Sequence, residues 1–333
     1  MHSAIAYLLY IIFILCANTG IYAIDQVDII APSSKGKESD LTTIKKYIEA
    51  LDFNPHISEK IYSNNNPFYS NSDEFRANDL ISALTDDSKI IWCIRGGEGA
   101  SRLIPYLERL PSDKKERIAH NKSKKTLIGY SDITALHIYL QVKYDWQTLH
   151  GTTLEMIVNN SVSESSVEKL RELILNKRSS IRFNNLKIIN NGIKLKNGRL
   201  ESKIVGGNMT LVENSIGTAW QVNAKGKILF LEDIRVYPYA MERSLDHLKQ
   251  AHILDEVQAV IFGNFTNSGN NDLVEVVKER FAKSVNFPAF TIKGVGHGHI
   301  NDPLPLNSHT IISVQDEKEG LFFMDVQNVS LTD

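Results

Sequence analysis

The chain has 333 residues, of which 42% are hydrophobic and 23% are charged, so it is long enough to form two ordinary globular domains. A formal net charge of −2 at pH 7 excludes the strongly basic surface that binds nucleic acid, and we expect no nucleic-acid partner. The two cysteines are Cys16 and Cys93, and because Cys16 falls in the N-terminal segment, the rest of the chain holds no pair for a disulfide.

Residues 1–23 differ in composition from everything that follows. They contain no Lys, Arg, Asp or Glu, and an apolar run covers residues 4–17. This pattern predicts a secretory signal peptide that is cleaved after Ala23. The run is shorter than the roughly 20 apolar residues of a spanning helix. We therefore expect an exported, periplasmic protein with no stable membrane span after cleavage. The alternative is an uncleaved N-terminus that anchors the protein to a membrane.

Apolar strands alternate with helices through residues 24–176, which we predict to form an N-terminal domain. Strands are predicted within 27–33, 90–94 and 126–128, and helices at 40–51 and 72–84. The strands are apolar throughout instead of alternating with polar residues. Such strands are typical of a parallel sheet that is covered on both faces.

Residues 177–203 are rich in Asn, Lys, Arg and Ser and contain the turn signals Asn-Gly. We predict a linker here, with a hairpin or an irregular connection near 187–195. A second domain is predicted at 204–333, with strands at 227–231 and 257–263 and a short antiparallel set within 304–325.

A tight turn, Gly129-Tyr130-Ser131-Asp132, joins the strand at 126–128 directly to the next predicted helix. Such a turn lifts its serine to the top of a sheet at a helix N-terminus, which is how a nucleophile elbow works. Gly129 permits the close backbone approach that the turn needs. The alternative is that Ser131 only caps the helix.

Other predicted strand ends carry a base and an acid. Ligands collect at the carboxyl ends of parallel strands, and a nucleophilic serine needs a base that an acid orients. Glu232 and His297 follow Ser131 in the order that α/β-hydrolases use. Glu232 could instead cap the next helix, and His299 competes with His297 for the role of base.

The glycines after the third strand suggest a further function. Gly96 and Gly97 could present backbone N–H groups to an oxyanion. A dinucleotide fingerprint does not fit here, because Arg102 occupies the position of its third glycine. The sequence has no His-Glu-x-x-His motif and no paired cysteine ligands, so we expect neither a metal nor a cofactor.

Taken together, the serine turn, the glycines after the third strand and the later Glu232 and His297 resemble the LD-carboxypeptidase family of serine peptidases. This family includes muramoyltetrapeptide carboxypeptidases and microcin-immunity peptidases. The resemblance runs in order over about residues 27–315. The matching blocks are Trp92-Cys93-Ile94-Arg95-Gly96-Gly97, the segment 128–136 around Ser131, His150-Gly151, Gly206-Gly207-Asn208, Phe230-Leu231-Glu232-Asp233, Phe262-Gly263 and Gly296-His297.

The resemblance implies an α/β fold with a Rossmann-like N-terminal domain, which contains the parallel sheet, and a C-terminal domain with a mixed sheet. It implies a triad of Ser131 as nucleophile, His297 as base and Glu232 as orienting acid, with an oxyanion hole at Gly97 and Asp132. The expected reaction is release of the C-terminal D-alanine from peptidoglycan tetrapeptides through an acyl-enzyme. The resemblance also implies a homodimer.

The chain departs from the family at Glu98, where an aromatic residue is usual, at Thr152, where proline is common, and at Asn307, where glycine is usual. A carboxylate at 98 leaves a second substrate class open, namely a modified peptide or a peptide–nucleotide amide. A muropeptide-binding protein without activity is the alternative from another class.

Contacts to the substrate are expected at four further positions. Gly96 and Glu98 lie in the glycine block itself. Arg95 and Arg243 are the candidates for binding a substrate carboxylate, although arginines are also common partners in structural ion pairs.

Overall fold

The computed structural model of the protein describes residues 25–64, 66–190 and 193–329. The predicted signal peptide at residues 1–23 lies outside this part of the chain. Among the described residues, no helix has both the length and the apolar character needed to cross a bilayer.

The first half of the described chain alternates strands and helices, as predicted. The strands are β1 (Gln26–Ile30), β2 (Asn54–Ile57), β3 (Ile90–Cys93), β4 (Thr126–Gly129) and β5 (Thr148–His150). The helices are α1 (Leu41–Glu49), α2 (Asp73–Thr85), α3 (Ile104–Glu108), α4 (Ser112–His120), α5 (Thr134–Tyr144), α6 (Leu154–Val158) and α7 (Glu164–Ile174). Ser72 caps α2 by accepting a hydrogen bond from the backbone N–H of Phe75.

The second half of the described chain forms longer strands and fewer helices. The strands are β6 (Ser180–Ile188), β7 (Arg199–Asn208), β8 (Ile228–Ile234), β9 (Ala259–Thr266), β10 (Ala289–Thr291), β11 (Leu304–Leu306), β12 (Ser308–Asp316) and β13 (Leu321–Gln327). The helices are α8 (Met209–Asn214), α9 (Pro238–Gln250) and α10 (Asn271–Lys283).

These strands form two sheets. The first has the order β11-β5-β4-β3-β1-β2, and all its pairings are parallel except that of β11 with β5. The second is a mixed sheet that closes into a barrel in the order β10-β6-β13-β12-β7-β8-β9. The predicted α/β class, with a parallel sheet followed by a mixed one, is confirmed. The closure of the mixed sheet into a barrel was not predicted from the sequence.

The buried apolar residues form three clusters. One fills the barrel around Phe230, and another packs α1, α6 and α7 against one face of the first sheet around Trp92. The third is continuous between the two halves, because Leu127 and Leu136 of the first half share it with Met209 and Leu231 of the second. Burial on both faces explains why β3 and β4 read as unbroken apolar runs.

The segment 177–203 is not only the linker that its composition predicts. It contains β6 and the first half of β7, both strands of the barrel. Along β6 the buried residues alternate with exposed Arg, Asn and Lys side chains, so the polar outer face gave the segment the composition of a loop. In addition, β11 from the predicted second domain adds to the first sheet beside β5, so the two parts interlock.

Candidate active site

Ser131 lies two residues after the end of β4, in the turn that leads into α5. Its φ of +64° falls in the left-handed region, which is uncommon for a residue other than glycine and is found at functional sites. A Cβ atom on Gly129 would lie 2.9 Å from Cγ1 of Ile133, so the turn has no room for a side chain there. The local geometry is that of a nucleophile elbow.

A chain of hydrogen bonds connects Ser131 to two residues from the second half of the molecule. Nε2 of His297 lies 3.1 Å from Oγ of Ser131. Nδ1 of the same ring lies 2.7 Å from Oε2 of Glu232, and the backbone N–H of His297 donates to that oxygen at 3.0 Å. His299 is exposed and takes no part in this chain. The three side chains have the connectivity of a Ser-His-acid triad.

Glu232 and His297 stabilise each other's charged forms. Burial raises the pKa of the fully buried Glu232 carboxyl, but the charge and hydrogen bonds of His297 lower it by more, so its pKa lies below the ordinary range. Burial lowers the pKa of His297, and the charge and hydrogen bond of Glu232 raise it by more, to above the ordinary value near 6.5. Glu232 is therefore ionised at neutral pH.

The glycine loop packs directly against Ser131. A Cβ atom on Gly96 would lie 3.1 Å from Cβ and 3.5 Å from Oγ of Ser131. Gly97 has a φ of +113°, and a side chain there would collide with Ser34. The backbone N–H of Glu98 donates to Oγ of Ser34 at 3.1 Å, which holds the loop in place. This closeness brings the loop backbone within reach of a group bound at Ser131.

Asp132 fastens the serine turn to both neighbouring loops. Its Oδ2 accepts a hydrogen bond from Oγ of Ser33 at 2.6 Å, in the loop after β1, and another from the N–H of Ala100 at 2.8 Å, beyond the glycine loop. Burial raises the pKa of the Asp132 carboxyl. The sequence predicted only a backbone role for Asp132. The hydrogen bonds of its side chain, including the one from Ser33, were not predicted.

Ser131 and His297 open onto a cleft of about 530 Å³. Of the predicted substrate contacts, the structure brings Arg95, Gly96 and Glu98 to this cleft. It does not bring Arg243, which is exposed on α9 with its guanidinium 5.3 Å from the ring centre of Tyr239. A different arginine, Arg235, lines the cleft instead. A larger groove of about 880 Å³ between α1 and α7 contains none of the predicted site residues.

His150 is buried behind the proposed site. Its ring lies edge-on to the rings of Tyr130 and Phe230, at centroid distances of 5.8 and 5.5 Å. Burial lowers the pKa of His150 to about 4, so its side chain is neutral at pH 7. It therefore adds no second positive charge to the Glu232–His297 pair.

One group of side chains in the described residues has metal-ligand geometry, and it lies outside the cleft. The ligand atoms of Asp28, His56 and Asp86 all lie within 4.8 Å of one another. Asp28 already contacts Nδ1 of His56 at 2.8 Å, and Asp86 pairs with Lys125. These contacts form an ion-pair network that does not line the cleft at Ser131.

Comparison with known proteins agrees with the resemblance seen in the sequence. Residues 27–151 match the family model of the LD-carboxypeptidase N-terminal domain, and residues 201–312 match that of the LD-carboxypeptidase C-terminal domain. A protein of Rickettsia conorii that is named as a carboxypeptidase is 38% identical over 288 residues, covering 86% of this chain and 87% of that protein.

More distant relatives have more specific names. The murein tetrapeptide carboxypeptidase of Pseudomonas aeruginosa is 25% identical, covering 86% of this chain and 92% of its own. The microcin C7 self-immunity protein of Escherichia coli is 23% identical, with coverages of 92% and 93%. The crystal structure of muramoyltetrapeptide carboxypeptidase from Oxalobacter formigenes superimposes with a TM-score of 0.74 at 22% identity, covering 91% of this chain and 98% of that one.

The pKa of His297 predicts how peptide hydrolysis depends on pH. The sequence predicts His297 as the general base, and a general base must be neutral, so kcat/KM should fall as the pH drops through the pKa of His297, which lies above 6.5. Glu232→Gln removes the charge that raises this pKa and leaves the effect of burial. We therefore expect the acid limb to move to lower pH, and the plateau to fall about 10⁴-fold because the ring loses its orienting acid.

The measurement is kcat/KM between about pH 5 and pH 9, with Glu98→Gln as the matched control. Glu98 is an exposed carboxylate of the same cleft, so its variant should keep the acid limb of the wild type. An acid limb that does not move in Glu232→Gln would show that a group other than His297 is titrating.

Proposed function

The chain belongs to the LD-carboxypeptidase family of serine peptidases, and from that premise we propose that it releases the C-terminal D-alanine from peptidoglycan tetrapeptides through an acyl-enzyme on Ser131. It is a serine-type carboxypeptidase, and the substrate and the roles of the residues are our proposal. The observation that carries the proposal is the hydrogen-bonded chain Ser131–His297–Glu232 at the cleft.

The proposed reaction begins with the hydrogen-bonded chain of Ser131, His297 and Glu232. Oγ of Ser131 attacks the carbonyl carbon of the last amide bond and gives its proton to Nε2 of His297. Glu232 holds the ring through Nδ1 and stabilises the imidazolium that forms. The backbone N–H groups of Gly97 and Asp132 bind the negative oxygen of the tetrahedral intermediate.

The intermediate then collapses and the C–N bond breaks. His297 gives its proton to the departing amine, so free D-alanine leaves while the rest of the peptide stays bound to Ser131 as an ester. A water molecule then attacks the ester carbonyl, with His297 again accepting the proton. Collapse of the second intermediate returns the proton to Oγ of Ser131 and releases the tripeptide acid.

The alternative substrate class is a peptide–nucleotide amide. It is favoured by the relative named for microcin C7 self-immunity. The chemistry at Ser131 would be the same, because an amide carbonyl is attacked in both cases. Assays that include both substrate classes distinguish them by their kcat/KM values.

We propose that Ser131, His297 and Glu232 act as a unit, and single variants test this. Ser131→Ala and His297→Ala should each lower kcat by about 10⁶-fold, because loss of the nucleophile or of the base removes the pathway altogether. The matched control is His299→Ala, which changes an exposed histidine in the same loop and should keep wild-type activity. Release of D-alanine is the measurement, and unchanged melting curves show that the variants fold. An inactive His299→Ala beside an active His297→Ala would assign the base to His299.

The proposed substrate makes a stereochemical prediction. Inverting the terminal residue exchanges its methyl group and hydrogen about a fixed carboxylate, which displaces the scissile carbonyl from Ser131, and a displacement of about 1 Å costs roughly a hundredfold in rate. A tetrapeptide ending in D-alanine should therefore be cleaved about a hundredfold faster than its L-alanine epimer. A pentapeptide ending in D-Ala-D-Ala should be poor, because its scissile bond follows a D-residue. Equal rates for the two epimers, measured as alanine release at equal concentration, would contradict the LD specificity.

We also propose that the protein is exported, because residues 1–23 lack charge and contain an apolar run of signal-peptide length. Amino-terminal sequencing of the protein from its native host should then begin near Ile24. An intact Met1 in the membrane fraction would favour the uncleaved anchor, and an intact Met1 in the cytosol would contradict export.

The homodimer implied by the family resemblance stays a prediction.

A further inference from the structure

Two arginines line the cleft at Ser131, and they belong to different parts of the site. Arg95 follows β3 and leads directly into the glycine loop. Arg235 follows β8, the strand that carries Glu232. A carboxypeptidase must recognise the free carboxylate of its substrate, and the planar fork of a guanidinium fits a carboxylate with two parallel hydrogen bonds. The two arginines differ in whether they are available for that contact.

Arg95 is already engaged by the protein. Its Nε lies 3.5 Å from Oε2 of Glu155, and its Nη1 donates to the backbone carbonyl of Lys35 at 3.3 Å. The carboxylate of Glu155 therefore compensates its charge. Binding a substrate carboxylate at Arg95 would place two negative charges against one positive charge.

Arg235 carries a charge that the described part of the chain does not compensate. Within the described residues, its guanidinium has no carboxylate partner and no hydrogen bond, and its side chain is exposed at the cleft. The positive charge of Arg235 lowers the pKa of His297, although Glu232 raises that pKa by more. Arg235 is therefore close enough to act on the proposed base electrostatically. An unpaired cation beside the proposed catalytic histidine attracts an anionic group of the substrate.

The backbone holds Arg235 in a special conformation. Its φ is +61°, in the left-handed region, and its N–H donates to the carbonyl of Thr266 on β9 at 2.8 Å. The register of β8 and β9 shifts between Leu231 and Asp233, because β9 has one extra residue opposite Glu232. Strained residues persist where function requires them. The left-handed residue directly after β8 therefore places its side chain at the cleft.

The chemistry of acyl transfer decides on which side the free carboxylate lies. The glycine loop binds the developing oxyanion, and His297 protonates the departing amine, so the leaving residue occupies the His297 side of Ser131. In a carboxypeptidase the leaving group is a single amino acid, so its carboxylate lies only two bonds from the nitrogen that His297 protonates. Arg235 is the cleft arginine on that side, because it extends from the strand that holds Glu232 against His297.

We infer that Arg235 binds the free carboxylate of the substrate's C-terminal residue and thereby makes the enzyme an exopeptidase. Arg95 supports the glycine loop through Glu155, and Arg243 has no contact with the substrate. This inference rests on the proposed function, because it takes D-alanine as the leaving group.

The test compares two peptides that differ only in the group that Arg235 would bind. One is the tetrapeptide with a free C-terminal carboxylate, and the other is the same peptide with a C-terminal carboxamide. Wild-type enzyme should prefer the acid. Arg235→Gln should lower kcat/KM for the acid by about 10- to 150-fold, the value of hydrogen bonds to a charged group. It should change kcat/KM for the amide by no more than a few fold, and Arg235→Lys should retain part of the preference because it keeps the charge without the fork.

The controls isolate the contact between Arg235 and the substrate carboxylate. Arg243→Gln removes an exposed arginine outside the cleft and should leave both kcat/KM values unchanged. All assays are run on the pH plateau, because loss of the Arg235 charge raises the pKa of His297. Equal losses on acid and amide in Arg235→Gln, or collapse of the preference in Arg95→Gln alone, would overturn the inference. Wild-type enzyme that releases no alanine from the tetrapeptide acid would overturn the substrate proposal and the inference together.

Discussion

The geometry of the site depends on one buried ion pair, Glu232 with His297. A carboxylate that is withdrawn fully from water costs several kcal/mol unless a charge and hydrogen bonds compensate it. Here one oxygen of Glu232 accepts two hydrogen bonds from His297, one from the ring and one from the backbone. The same two bonds fix the orientation of the ring and so aim Nε2 at Ser131. The stability of the buried pair and the alignment of the proposed base therefore come from one interaction.

This pair can serve Ser131 only if the two sheets keep their relative position, because the serine follows a strand of the first sheet and the pair belongs to the barrel side. Several contacts provide that constraint. The N–H of Asn208 donates to Oγ1 of Thr134 at 3.0 Å, and a Cβ atom on Gly207 would lie 2.6 Å from that oxygen, so β7 packs directly on the start of α5. β11 ties the loop that carries His297 to β5 of the first sheet.

The parts of the fold that follow from local sequence were predictable, and those that follow from tertiary pairing were not. The strands at 90–94 and 126–128 were evident because burial on both faces leaves an unbroken apolar run. β6 was missed because its outer face is polar. The place of β11 in the first sheet depends on pairing with β5, far away in sequence, which no local pattern encodes. For the same reason Arg243 was named from the sequence and Arg235 was not considered: only the tertiary structure shows which arginine lines the cleft.

The turn at Ser131 shows why its fourth residue is an aspartate when the proposed oxyanion contact needs only a backbone N–H. A left-handed serine persists only if its surroundings over-determine it. The side chain of Asp132 supplies that restraint by accepting hydrogen bonds from Ser33 and from Ala100. These partners flank the loops that form the cleft, so the carboxylate fixes the serine and the glycine loop relative to each other. Any residue except proline offers a backbone N–H, but tying both loops to the strained turn takes a short side chain with an oxygen that accepts two hydrogen bonds, as Oδ2 of Asp132 does.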